Sequence, residues 1–191
     1  MEFKVLSKDD CEMVRLWRNE TMKALRTPYQ LTQEQQEDFY YNTICDRRAN
    51  ARYWGIWSET KQPSVLKKAG ELPTVRMKDT LIGMTGIENI EWENSRGEIS
   101  LILDPKQRSM GHGNEAVSIL LSKGFGELNL DNIWGVCYEC NPAVRFWERQ
   151  INKYGAERAT FPNMKFWDGK YWRGLYFNFE RGKYDKTSDD K

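Results

Sequence analysis

Between Ile99 and Ala116 the chain reads Ile-Ser-Leu-Ile-Leu-Asp-Pro-Lys-Gln-Arg-Ser-Met-Gly-His-Gly-Asn-Glu-Ala. An apolar-rich strand pattern ends at Asp104-Pro105, a loop with two glycines follows, and a helical apolar period opens just after it. Glycine admits positive φ and close approach, so successive amides from Arg108 to Gly113 can point into one concavity at a helix N-terminus. Such a nest carries partial positive charge and suits a pyrophosphate. The spacing is neither G-x-G-x-x-G nor a loop closing on Gly-Lys-Ser/Thr, so neither a nicotinamide dinucleotide nor ATP is favoured.

The remaining pattern places this unit in a single mixed α/β domain. Residues 2–6 alternate as a strand, and Ser7 or Asp9 caps a helix predicted to reach about Arg26, with Met13, Val14, Leu16, Trp17, Met22 and Leu25 at helical spacing. Thr32 and Gln35 have the form of a capping box, which opens a second helix through about Asp46. Strands are predicted over 52–58, 75–77, 81–91, 96–103 and 132–139, with helices over 114–127 and 142–153. Gly83 and Gly86 mark tight backbone approach or a bulge. The polar stretch 59–74 is long for a connection between strands, and long loops are often functional. Asp168-Gly169 between aromatic runs signals a hairpin. Residues 183–191 read as a disordered, solvated tail, which leaves 1–182 as the domain.

Composition limits the partners. Lys plus Arg total 29 and Asp plus Glu total 28 in 191 residues, a net charge of +1. Coating an extended nucleic acid rests on a basic excess, so that class is disfavoured, while a single nucleoside or base stays open. Nothing in the charge points to a membrane partner, no stretch approaches the ~20 apolar residues of a span, and Met-Glu-Phe-Lys-Val-Leu lacks the regions of a signal peptide. Cys137 and Cys140 have CxxC spacing without a second pair, and on a strand they face opposite ways. The expectation is a cytoplasmic protein with reduced cysteines and no metal. Eight tryptophans are more than most cores of this size use.

Arg108, Gly111 and Gly113 match the coenzyme-A loop, Arg/Gln-x-x-Gly-x-Gly/Ala after the fourth strand, of the GNAT superfamily of acyl-CoA N-acetyltransferases. Asn141-Pro-Ala-Val-Arg-Phe-Trp resembles that family's asparagine-led helix after the fifth strand. Trp17-Arg18-Asn19 and the aromatic hairpin are similar to its ribosomal-alanine and amino-sugar branches. The resemblance implies an α+β fold, a mixed and mostly antiparallel sheet flanked by helices, with acetyl-CoA as cosubstrate. It also implies pyrophosphate on the amides of Arg108, Ser109, Met110, Gly111, His112 and Gly113. The pantetheine arm then pairs like a strand with Leu101, Ile102 and Leu103, with Asn141 and Phe146 beside it. His112, the sole histidine, occupies the variable slot of the loop, where the backbone does the binding.

Acetyl transfer to an amine needs a base, a polarised thioester and a proton for the leaving thiolate. Strand alternation puts Glu98, Ser100 and Ile102 on one face. Related transferases carry a glutamate at this point of the fourth strand, so Glu98 is either the base or the acidic half of a salt bridge to Arg96 or another arginine. The family's acid, often a tyrosine, is matched by Trp147, which cannot supply that proton. Tyr138, Cys140, Tyr154 and a relay through Ser100 remain, as do water and the substrate ammonium. The acceptor is expected to be a small polar amine, such as a nucleotide-linked amino sugar or a modified nucleoside. Trp17, Tyr29, Tyr40, Tyr41, Trp54, Trp57, Trp92, Trp167 and Trp172 supply both core and ring platforms, with Arg26, Arg47, Arg48 or Arg52 near a phosphate. A protein N-terminus, as in the ribosomal branch, and an inactive acyl-CoA-binding module are the alternatives, and a homodimer is admissible.

Overall fold

The computed structural model describes residues 1–63 and 75–189. Seven strands form one sheet: β1 (Glu2–Lys4), β2 (Arg52–Pro63), β3 (Val75–Glu91), β4 (Arg96–Leu103), β5 (Asn132–Tyr138), β6 (Glu157–Trp167) and β7 (Lys170–Glu180). Their spatial order is β1-β2-β3-β4-β5-β7-β6, with β4 and β5 parallel and every other neighbour antiparallel. Five helices pack on it: α1 (Lys8–Glu20), α2 (Gln33–Phe39), α3 (His112–Ser122), α4 (Val144–Tyr154) and α5 (Arg181–Asp189).

Alternation along the strands sends apolar side chains to two cores. On one face Cys11, Val14 and Trp17 of α1 pack with Met84 and Ile102, and Phe39 of α2 adjoins them. On the other, Val117, Leu120 and Leu121 of α3 and Trp147 and Ile151 of α4 meet Ile87, Ile99, Ile133 and Phe177.

Several boundaries differ from those read in the sequence. Ser7 caps α1 through a box with Asp10, but the helix stops at Glu20, where the Thr21 hydroxyl donates back to the Trp17 carbonyl (2.8 Å). A 3-10 turn, Met22–Ala24, follows instead of the predicted extension to Arg26. The Thr32–Gln35 box opens α2, which passes into a π-helical turn ending at Ile44. α3 begins at His112, inside the expected loop, and it too ends in a π turn, Lys123–Glu127. That turn sets Gly124 against the sheet, where a Cβ would lie 2.4 Å from Ile133 Cδ1.

Residues 59–63, expected at the start of the loop 59–74, belong to β2 instead. β2 and β3 continue their ladder to Pro63↔Val75, and 64–74 lie outside the described residues. Asp168 (φ 54°) and Gly169 (φ 76°) form the expected hairpin turn, both left-handed. The segment expected as a disordered tail is helical through Asp189, because Tyr184 packs on Phe125 and Tyr154 with ring centroids 5.1 and 5.9 Å apart.

Candidate active site

β4 and β5 pair over only three positions, Arg96↔Asn132, Gly97↔Ile133 and Glu98↔Trp134. Beyond them the strands part, while β4 stays paired to β3 as far as Leu103 and β5 to β7 as far as Tyr138. Gly135 sits where they separate: a Cβ there would meet Ile99 Cγ2 at 2.7 Å and Phe177 Cζ at 2.6 Å. The backbone edges of Leu101, Ile102 and Leu103 therefore face a gap rather than a neighbouring strand.

The glycine loop stands at the same end of the sheet. Ser109 (φ 65°) and Gly111 (φ 86°) are left-handed, and the N-cap of α3, Gly111, has no side-chain cap. Asn114 is the first residue there whose amide finds an intrachain acceptor, Gly111 O at 3.0 Å. Among the described residues the amides of Ser109, Met110, Gly111, His112 and Gly113 donate to none. Free amides of this kind at a helix N-terminus make an anion cradle. No atom lies within 4 Å of where a Gly111 Cβ would be, so the concavity is open. Gly113 is closed on its side, because a Cβ there would lie 3.0 Å from the Phe146 ring. Arg108 is exposed. Gln150 of α4 donates to Asn114 Oδ1 (2.7 Å), which fixes α4 against the head of α3. These features fit a pyrophosphate-bearing acyl carrier.

Glu98 is 3% exposed. Its carboxylate accepts from Arg26 and from Asn89 Nδ2 (2.8 Å), so its arginine partner is Arg26; Arg96 pairs with Glu91 instead. Burial disfavours the charged Arg26 guanidinium, but Glu98 and then Tyr138 outweigh it and raise its pKa above the ordinary value. Glu98 on β4 is thus the hydrogen-bonded partner of Arg26, and Tyr138 on β5 adds to the rise in its pKa.

Across the ladder from Glu98 is Glu88, on the same face. It accepts from the Tyr53 hydroxyl. Burial, then the charge and hydrogen bond of Glu88, hold the Tyr53 pKa well above its usual value, with Arg18 and Ser100 opposing. Ser100 belongs to this cluster, and its own carbonyl accepts from the Thr85 hydroxyl (2.8 Å).

Tyr154 is removed from the gap. It packs on Phe179, which pairs with Ile133 at the other end of β5 from Tyr138. Trp147 is core, stacked on Phe177 with centroids 4.9 Å apart. Asn141 is occupied within the chain: Nδ2 donates to Ala24 O (3.2 Å), and Oδ1 accepts from the Ala143 amide (2.8 Å). Cys140 donates to Lys23 O, and burial pushes the Cys137 thiol up to about 12. The Arg52 guanidinium is taken up by the carbonyls of Ala49, Ala51 and Arg47.

Three features escaped the sequence reading. Lys165 is buried in β6, with its ammonium on the carbonyls of Met22 (3.2 Å), Lys23 (3.0 Å) and Leu25. Asn89 reaches Glu98 from a left-handed backbone (φ 51°). Trp134 and Tyr176 stack 5.8 Å apart, their positions on β5 and β7 falling out of phase with core residues Ile133 and Phe177. The Trp134 indole N–H is buried with no partner among the described residues. Burial raises the Tyr176 pKa, with Arg96 opposing and Glu98 adding.

Among the described residues no His, Cys, Asp or Glu cluster is arranged to hold a metal, and no helix is long and apolar enough to cross a membrane.

The fold recurs in known proteins. Among solved structures, spermidine N-acetyltransferase from Vibrio cholerae in complex with CoA and spermine superposes with a TM-score of 0.74. It is 20% identical, over 96% of each chain. Mutant forms of the spermidine/spermine N-acetyltransferase SpeG from Vibrio cholerae give 0.73 at 19% identity, over 98% of this chain and 97% of theirs. No curated protein matches in sequence. The acetyltransferase (GNAT) domain family matches residues 2–147, which takes in the first five strands, the glycine loop and the start of α4, and the chain belongs to that family.

Proposed function

We propose that this GNAT-family acetyltransferase uses acetyl-CoA to acetylate the primary amine of a small polar acceptor, in the manner of a nucleotide-linked amino sugar or a modified nucleoside. One observation carries the cosubstrate: free amides over Ser109–Gly113 face the end of the sheet where β4 and β5 part. Acetyl-CoA supplies the thioester. In this reading the cradle takes its pyrophosphate, the open edge of Leu101–Leu103 aligns its arm, and Phe146 backs the first turn of α3. Preformed donors need no reorganisation when the anion arrives, so binding fixes the acyl group at low entropic cost.

The acceptor comes from the opposite side, where Glu98 takes its proton and Tyr138 stands across the gap as the donor to the leaving thiolate. A planar or ring-bearing acceptor is supported by the Trp134–Tyr176 stack on the strand that carries Tyr138, with an indole N–H left to donate. A polyamine acceptor, named for the structural neighbours, is the second reading. The cross-strand carboxylates Glu88 and Glu98 favour it.

The test is thiol release from acetyl-CoA by purified protein, across a panel of amino sugars, aminonucleosides, polyamines and peptide N-termini. Release accelerated by a ring-bearing amine is the expected result. Binding of coenzyme A with no amine accelerating release makes the chain a binding module, and acceleration by peptides alone moves it to protein N-termini.

A further inference from the structure

The backbone before Arg26 is held with unusual completeness. Lys165, 6% exposed, donates to Met22, Lys23 and Leu25 carbonyls. Asn141 takes the Ala24 carbonyl, and Cys140 adds a second donor to Lys23. Four successive carbonyls are thus fastened from β6 and from the turn after β5. A buried ammonium is costly unless its protons are placed, and here they are placed on the chain that carries Arg26. The anchored turn leaves Arg26 free to move by its side chain alone.

The Arg26–Glu98 pair is lopsided: the arginine side chain is 58% exposed and the glutamate 5%. The guanidinium is the member in contact with water, and the carboxylate lies behind it. An amine that is to surrender a proton to Glu98 must first displace Arg26. Among the described residues, the neighbouring carboxylates are already engaged. Glu88 is engaged by Tyr53, with Arg18 beside that hydroxyl, and Glu91 is engaged by Arg96 and Asn94. With three carboxylates, Glu88, Glu91 and Glu98, against three guanidiniums, Arg18, Arg26 and Arg96, this wall is close to neutral before the acceptor arrives.

Resting on the acetyltransferase reading above, we infer that Arg26 is a specificity-determining residue that exchanges partners, releasing Glu98 to the acceptor's ammonium and taking an anionic oxygen group of the same acceptor. The preferred acceptor is therefore an amphoteric amine, with phosphate or carboxylate within reach of its amino group. A guanidinium fits either group through paired N–H donors. A polyamine does the opposite, since it brings more positive charge to a cation that has just lost its partner.

The test compares matched acceptors in the thiol-release assay: glucosamine with glucosamine 6-phosphate, propylamine with β-alanine, and spermidine. Wild type is set beside Arg26→Gln and Arg26→Lys. The expected wild-type preference for the anionic member of a pair is about tenfold or more, the scale of a charge-assisted hydrogen bond. Arg26→Gln should erase it and improve spermidine relative to the others, Arg26→Lys should keep part of it, and the KM for acetyl-CoA should stay put in both. The phosphate and carboxylate arms show which anion is read. A wild-type preference for spermidine over both anionic amines, or a preference that survives in Arg26→Gln, overturns the inference. Calorimetric titration of glucosamine 6-phosphate into the CoA-bound protein separates the two readings. If no amine is acetylated, the acetyl-transfer reading fails. Phosphate-dependent binding lost in Arg26→Gln still sustains the exchange, and equal binding by both proteins ends it.

Discussion

At the scale of single residues, the proposed chemistry turns on Glu98 as the base. This deeply buried carboxylate has both Arg26 and Asn89 as hydrogen-bond donors. Replacing it with glutamine keeps the shape and removes the basicity. Glu98→Gln is expected to lower kcat at neutral pH by about 100-fold or more, the usual reach of a positioned base. The Kd for acetyl-CoA should be unchanged, because Glu98 faces the α1 side of the sheet and α3, which carries the cradle, packs on the other; an unaltered kcat would remove Glu98 as the base. Glu98 was legible because strand alternation and an out-of-place charge can be read locally. Its partner was not: Arg26 is 72 residues away in the chain, and only the anchoring of the preceding turn makes it arrive. Lys165 was illegible for the same reason. A lysine in an edge strand reads as solvated until the carbonyls that surround it, from another part of the chain, are known.

At the scale of elements, the strand–loop–helix around Gly111 was readable because glycines, a strand and a helix start are all signals of short range. The hairpin at Asp168-Gly169 was readable likewise, since both residues tolerate the left-handed region that the turn demands. Where the reading overran, tertiary contacts had taken the backbone. Met22 and Leu25 continue the apolar period of α1, yet their carbonyls serve Lys165 rather than a longer helix. The loop itself is open to a decisive change. Gly111→Trp puts an indole where an added Cβ meets open space, so the bulk stays out of the core and stands beside the free amides of the loop. Forcing an L-residue into the left-handed region costs roughly 1–2 kcal/mol, a loss that denaturant melting will register without unfolding the domain. Calorimetry should find coenzyme A binding abolished, and retained affinity would place the pyrophosphate elsewhere.

At the scale of the whole molecule, the net charge of +1 agrees with the proposal that the anion is bound by backbone amides rather than by a basic surface. What the sequence did not disclose is how the sheet is divided. β1–β4 and β5–β7 are each laced by long antiparallel ladders, whereas the two groups share three register positions. Native-state hydrogen exchange on the free protein should therefore resolve two sets of slow amides with separate opening free energies. Saturating coenzyme A, at about 100 times its Kd, should add about 2.7 kcal/mol of protection and bring the two sets together. A single common opening energy in the free protein would show that the helices alone unite the halves.

The short seam between β4 and β5 has a further consequence for turnover. A sheet with such a seam is stiff in proportion to what is lodged in it. In the proposed reaction, a cosubstrate arm paired with Leu101–Leu103 would lengthen the seam and product departure would shorten it, so the rigidity felt by the acceptor side would rise and fall once in every cycle.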